Sequence, residues 1–148
     1  IQALDLVGRK MGMNGGRSVK RFFGMVEGFL KENADAPYAD QVKAASEKLQ
    51  RATMWLMQNG MSDREQAGAA ATPYLRLFAL TTVAFFWSRM ALVAQQQLDG
   101  GTTESDFYQS KIRTGQFFID RILPQADALL AEIESGKDSL MALTAEQF

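Results

Sequence analysis

A chain of 148 residues with 47% hydrophobic side chains has the length of one domain and enough apolar content for a sizeable core. Its formal net charge of −1 gives no whole-chain reason to expect nucleic acid or an anionic membrane as partner. Neither Cys nor His occurs. That excludes disulfides, thiolate nucleophiles, His-containing zinc sites and Ser-His-Asp or Cys-His catalysis.

The apolar spacing is helical throughout, with no alternating strand pattern. Ile1, Leu4, Val7 and Met11 form a short stripe that reads as the end of a longer helix, broken by Asn14-Gly15-Gly16. A second helix is predicted from Arg17 to Glu32, with Val19, Phe22, Phe23, Val26, Phe29 and Leu30 on one face. After a linker from Asn33 to Pro37, the third covers Tyr38 to Gln58 through Val42, Ala45, Leu49, Ala52 and Leu56, and Asn59-Gly60 closes it. Ser62-x-x-Glu65 has the form of a capping box, so a fourth helix is expected from Asp63, with a kink or short break at Pro73. From Tyr74 to Leu98 this helix is apolar almost all round, which places it at the centre of a bundle. Gly100-Gly101 ends it. Thr102 or Thr103 caps a last long helix, Glu104 to Glu134, which Pro124 should bend and Ser135-Gly136 stops. A tail from Lys137 to Phe148 ends in an aromatic. The expectation is an all-α fold: a four-helix up-down bundle with a short N-terminal helical stub and a C-terminal tail.

Candidate sites are few. The apolar run Phe78 to Trp87 is too short for a membrane span, because Arg76 and Arg89 leave only 12 uncharged residues between them. Gly8-x-x-x-Gly12 and Gly24-x-x-x-Gly28 are read as small residues letting helices approach rather than as dimer motifs. The glycines from Gly8 to Gly16 lack the strand and spacing of a dinucleotide fingerprint. Arg9, Lys10, Arg17, Lys20 and Arg21 cluster near the N-terminus against Asp5 alone, a patch suited to phosphates or an acidic neighbour, or simply a solvated face. The last third is acidic (Asp99, Glu104, Asp106, Asp120, Asp127, Glu132, Glu134, Asp138, Glu146), and these charges are expected to pair across the bundle or across a dimer. Glu132 and Glu134 point apart on a helix, and no carboxylate pair sits in an apolar run. Eight Met suit an adaptable surface or gaps in the core, the latter being the commoner role. No catalytic, cofactor-binding or metal-binding residue is assigned.

Two stretches carry a resemblance. Ile1-Gln2-Ala3-Leu4-Asp5-Leu6-Val7-Gly8-Arg9-Lys10, followed by Asn14-Gly15-Gly16-Arg17, resembles a segment of bacterial acyl-CoA dehydrogenases in which Tyr-Glu-Gly-Thr runs directly into Ile-Gln. Phe117 to Ala126 is similar to the last helix of the extra C-terminal domain in one branch of that family. The tail, with Asp138-Ser139-Leu140 and Glu146-Gln147-Phe148, fits the same branch. The resemblance implies a parent flavoprotein that binds FAD and dehydrogenates acyl-CoA thioesters at the α and β carbons. In most of the family the base is the Glu of the Tyr-Glu-Gly-Thr motif, which would lie just before Ile1, and Gln2 is given no catalytic role. The implied division is 1–15 as the end of the preceding dehydrogenase helical domain and 16–148 as a C-terminal bundle domain.

Such a domain is expected to be non-catalytic and inactive alone, to bind no FAD or metal, and to pack on the core of its own chain or at a subunit interface. The parent is expected to be a cytoplasmic homo-oligomer of fatty acid metabolism, with no nucleic-acid partner and no transmembrane segment. No signal peptide is seen, and the start at Ile1 suggests a preceding segment. The competing reading is a stand-alone helical-bundle interaction module.

Overall fold

In the computed structural model, which describes residues 1–147, every regular element is helical. The principal helices are α1 (Gln2–Asp5), α2 (Arg17–Glu32), α3 (Ala39–Trp55), α4 (Arg64–Asp99), α5 (Ser105–Arg121) and α6 (Gln125–Ser135). Leu6–Lys10 and Leu56–Gly60 extend α1 and α3 as wider π-helical turns. Phe148 lies outside the described residues.

The long helix α4 is the spine. At 36 residues it spans roughly 54 Å. The hydroxyls of Thr53 and Tyr74 meet at 2.9 Å, and Thr81 Oγ1 donates to the Ala45 carbonyl, so α3 runs antiparallel to α4. Gly115 packs against Trp87, Gln125 meets Arg76 and Lys137 meets Gln66, so α5 and α6 together run back along nearly the whole of α4. The helix α2 lies along α4 in the same direction, with Phe22 against Phe78 and Phe29 against Phe85. The result is an up-down-up-down bundle whose fourth member is split.

Two apolar clusters fill it. One joins Leu49, Ala52 and Leu56 of α3 to Ala70, Tyr74 and Leu77 of α4 and to Ala126, Leu129, Leu130 and Ile133 of α6. The other joins Val26, Val42, Ala45, Ala84, Phe85, Phe118, Ile119 and Leu123. Leu6, Val7 and Met11 of the N-terminal stub pack against the first cluster, so the stub lies on the bundle. Asn14, Gly15 and Gly16 all take left-handed conformations and turn the chain into α2.

Three local expectations need correction. The fourth helix is capped by Asp63 rather than Ser62: the Asp63 carboxylate accepts from the backbone N–H of Glu65 and Gln66, and the helix begins at Arg64. A carboxylate in this place also answers the positive end of the helix dipole, which a hydroxyl does not. Pro73 does not break α4. It is buried in a run with Ala70, Ala71 and Tyr74, and packing on both sides carries the helix past the missing donor. Pro124, by contrast, ends one helix and begins another. The carbonyl of Phe118 accepts from both Ile122 and Leu123 N–H groups, which closes α5, and Pro124, with its φ of −57° already helical, stands at the start of α6.

The Met residues are a further correction, since all but Met11 are exposed rather than filling the core, and the glycine pairs are another. A Cβ at Gly8, Gly12, Gly24 or Gly28 would meet nothing within 4 Å, so neither spacing serves a close helix contact. The close approach is at Gly115, where a Cβ would lie 2.9 Å from the Tyr38 ring and 3.3 Å from Trp87. Tyr38 is held there by its own hydroxyl, which donates to the Ile112 carbonyl at 2.6 Å, and by a left-handed backbone (φ 66°) at the start of α3. Ser88 Oγ donates to the Pro37 carbonyl at 2.6 Å and ties the same loop to α4. Gly115→Ala should therefore destabilise the bundle by about 1–3 kcal/mol through overpacking. Gly24→Ala, facing open space in a helix, should stabilise it by about 0.5–1 kcal/mol. Thermal unfolding followed by circular dichroism reads both signs, and equal shifts would refute the distinction.

Candidate functional site

Among the described residues a minority of the charged side chains pair, and most of those pairs join one helix, or its end, to another. Asp5 is paired with Arg9 at 2.6 Å and Lys10 at 3.3 Å, which neutralises part of the N-terminal basic patch. Arg17, Lys20 and Arg21 remain exposed and enter no ion pair among the described residues. Of the nine acidic residues of the last third, two pair across the bundle: Asp127 with Lys48 at 2.7 Å, and Glu134 with Arg51 through a two-pronged contact whose second bond is 2.7 Å. Asp99 and Asp120 accept from Gln95 and Gln116 one turn before them. Among the described residues no group of three or more carboxylates is placed to hold a metal ion.

Of the groups whose titration is displaced, Tyr38 and Tyr74 are the ones withdrawn from water, and burial pushes both phenols up. Asp120 adds its negative charge at Tyr38, while the Thr53 hydroxyl partly offsets burial at Tyr74. Both changes lie away from the neutral range that general acid–base chemistry uses.

One charged cluster went unseen in the sequence. Lys137, just past α6, bonds Asp63 and Glu65 at 2.6 Å each, and its backbone N–H donates to the Gln66 side chain. Gly136, at φ 69°, sets this geometry, and a Cβ there would strike Gln66 Oε1 at 2.9 Å. The clamp joins the two ends of the α4–α6 pair. Lys137 holds the Asp63 carboxyl below its ordinary value, and the two carboxylates push the Lys137 ammonium up.

One apolar face of the bundle is left open. A groove of about 680 Å³ opens between the C-terminal half of α4 and the start of α5, walled by Phe29, Phe86, Met90, Val93, Phe107 and Tyr108. Phe86 is 46% exposed, Met90 43%, Val93 53% and Phe107 53%. These values are far above those of a finished core, so the face is uncovered in the separated chain. Arg89 lies over the Phe85 ring at 5.5 Å and Lys111 over Phe107 at 4.9 Å, which makes the rim cationic. By length and composition α4 could cross a membrane, yet its other face carries the bundle core, with Tyr74, Leu77, Thr81, Ala84 and Ser88 fully buried. That is the pattern of a bundle helix. The sequence signal for the groove was the i, i+3, i+7, i+10 spacing of Val83, Phe86, Met90 and Val93, masked because this helix is apolar on every side.

The clamp gives a pH dependence. A carboxyl whose folded pKa is depressed stabilises the fold above its unfolded value, near pH 4, and loses that contribution as pH falls through the lower folded value. Asp63→Asn keeps a competent helix cap and removes the charge. Its melting temperature should be lower than the parent's at neutral pH, with the gap closing on acidification below about pH 4. A gap independent of pH would show that the ion pair contributes nothing.

A family model described as acetyl-CoA dehydrogenase C-terminal like matches residues 22–144. A curated relative, 3-methylmercaptopropionyl-CoA dehydrogenase of Ruegeria pomeroyi, is 30% identical over 146 residues. That alignment covers 95% of this chain but 25% of the relative, so the chain spans about a quarter of that protein's length.

Proposed function

The chain belongs to the acetyl-CoA dehydrogenase C-terminal-like family, and from that premise we propose that it is the non-catalytic C-terminal domain of a longer FAD-dependent acyl-CoA dehydrogenase. The observation that carries this is the coverage: nearly all of this chain aligns to a quarter of an acyl-CoA dehydrogenase. The opening from Ile1 to Lys10, resembling the segment just after the family's Tyr-Glu-Gly-Thr motif, supports a boundary in which 1–15 ends the preceding helical domain and 16–148 forms the bundle. Leu6, Val7 and Met11 then fasten that end to the bundle.

The residues of this chain do not fit FAD. The groove offers one hydroxyl, Tyr108, and two cations already stacked on aromatic rings. The Gly8–Gly16 region is a helical turn without the strand that a dinucleotide cradle needs. The flavin and the base therefore belong to the remaining part of the parent, and this domain packs on that part, where it can shape access for the acyl chain or the pairing of subunits. The parent is read as a cytoplasmic bacterial homo-oligomer acting on an acyl-CoA. The stand-alone interaction module is the weaker reading, since the family match covers residues 22–144.

The test uses the intact protein and the separated chain side by side. The intact protein should purify yellow, and its flavin should bleach anaerobically on addition of an acyl-CoA. The separated 148-residue chain should take up no FAD. Flavin bound by the separated chain, or an intact protein without flavin, would overturn the proposal.

A further inference from the structure

The geometry points to the groove between α4 and α5 as the seat of one helix from the rest of the parent polypeptide, a helix with an apolar seam flanked by Asp or Glu. The inference rests on the reading that this chain is one domain of a longer protein. It goes further by naming the face and the chemistry of its occupant.

The shape argues for a helix. Phe86, Met90 and Val93 line the groove and exposed Val83 continues their row one turn before it, a narrow seam along about 15 Å of α4 with the a/d spacing that receives knobs from a second helix. Phe107 and Lys111, one turn apart on α5, make the opposite wall. A trough between two helices is how an amphipathic helix is held, through anchors at i, i+3, i+4 and i+7.

The charge argues for acidic flanks and against a symmetric pair of copies. Between Arg76 and Asp99 the helix α4 carries no carboxylate, while Arg89 and Lys111 both line the groove. Neither Arg89 nor Lys111 has an ion-pair partner among the described residues. Two copies pairing seam to seam would bring two Arg89 and two Lys111 to one contact whose α4 stretches supply no carboxylate, which is unfavourable at a desolvated contact. An acidic helix would pair both cations and cover the aromatic rings. The relative supplies the room for such an occupant, since three quarters of its length lies beyond the part matched by this chain.

Phe86 replaced by the photo-crosslinking residue p-benzoylphenylalanine in the intact protein tests this directly. The expected product is a crosslink within one polypeptide to a helical, Asp- or Glu-bearing segment outside residues 1–148. Adding Arg89→Glu and Lys111→Glu should lower the crosslink yield about tenfold, the loss expected for rim charges that meet opposite charges. Both positions are partly or fully exposed, so the bundle's own circular dichroism and melting temperature should be little changed. A crosslink to residues 1–148 of a second copy, the absence of a crosslink, or an unchanged yield after charge reversal would each overturn the inference. Flavin content is read separately on the same preparation. A crosslinked protein that lacks flavin would sink the dehydrogenase reading and leave the docking inference standing.

Discussion

A 36-residue helix that is apolar around most of its circumference cannot stand in water, and the rest of the molecule is arranged to cover α4. The helix α3 takes one side, α5 and α6 take another, and the long aromatic side chains of α2 reach in from a third. The split at Pro124 follows from this constraint. The chain returning along α4 closes one helix at Phe118 and starts the next at Gln125, which lets the two halves serve separate core clusters. What these helices leave uncovered is the seam at Val83, Phe86, Met90 and Val93.

Inside the covered part, polar groups are satisfied locally. Thr81 shares its one hydroxyl proton between the carbonyls of Leu77 at 2.9 Å and Ala45 at 3.3 Å, and Thr53 donates to the Leu49 carbonyl while its hydroxyl meets that of Tyr74. Ser88 and Tyr38 tie the α2–α3 loop to α4 and α5. No buried side-chain polar atom among the described residues is left without a partner. A functional site commonly carries unsatisfied or strained groups, poised for a ligand. Here the buried polar groups serve the packing of helices, which suits a supporting domain.

The helices themselves were legible from sequence because their apolar positions recur at helical spacing and their ends carry Gly, Asn and Pro. The choice among neighbouring signals was not. Ser62 and Asp63 both suit a cap, and the competition is decided by Lys137, which is distant in sequence and near in space. Pro73 and Pro124 look alike in a linear reading. One sits where packing continues on both sides, and the other where the chain passes from one core cluster to the next. The glycine spacings promised close contacts that the fold does not use, whereas Gly115 has no motif around it and lies against Tyr38 and Trp87. The absence of any assignable catalytic residue rested on composition. The groove was hidden because α4 is apolar on every side, which masks the spacing of the face this bundle leaves uncovered.

Hydrogen exchange along α4, measured in the separated chain and in the intact protein, tests the central claim most directly: the bundle is a domain with its own core and one face reserved for its parent. Slow exchange from Tyr74 to Ser88 in both proteins is predicted, since that stretch packs within the bundle, with additional slowing at Phe86 to Val93 and Phe107 to Lys111 in the intact protein alone. Rapid exchange at Tyr74 to Ser88 in the separated chain, or identical exchange at the groove in both proteins, would contradict it.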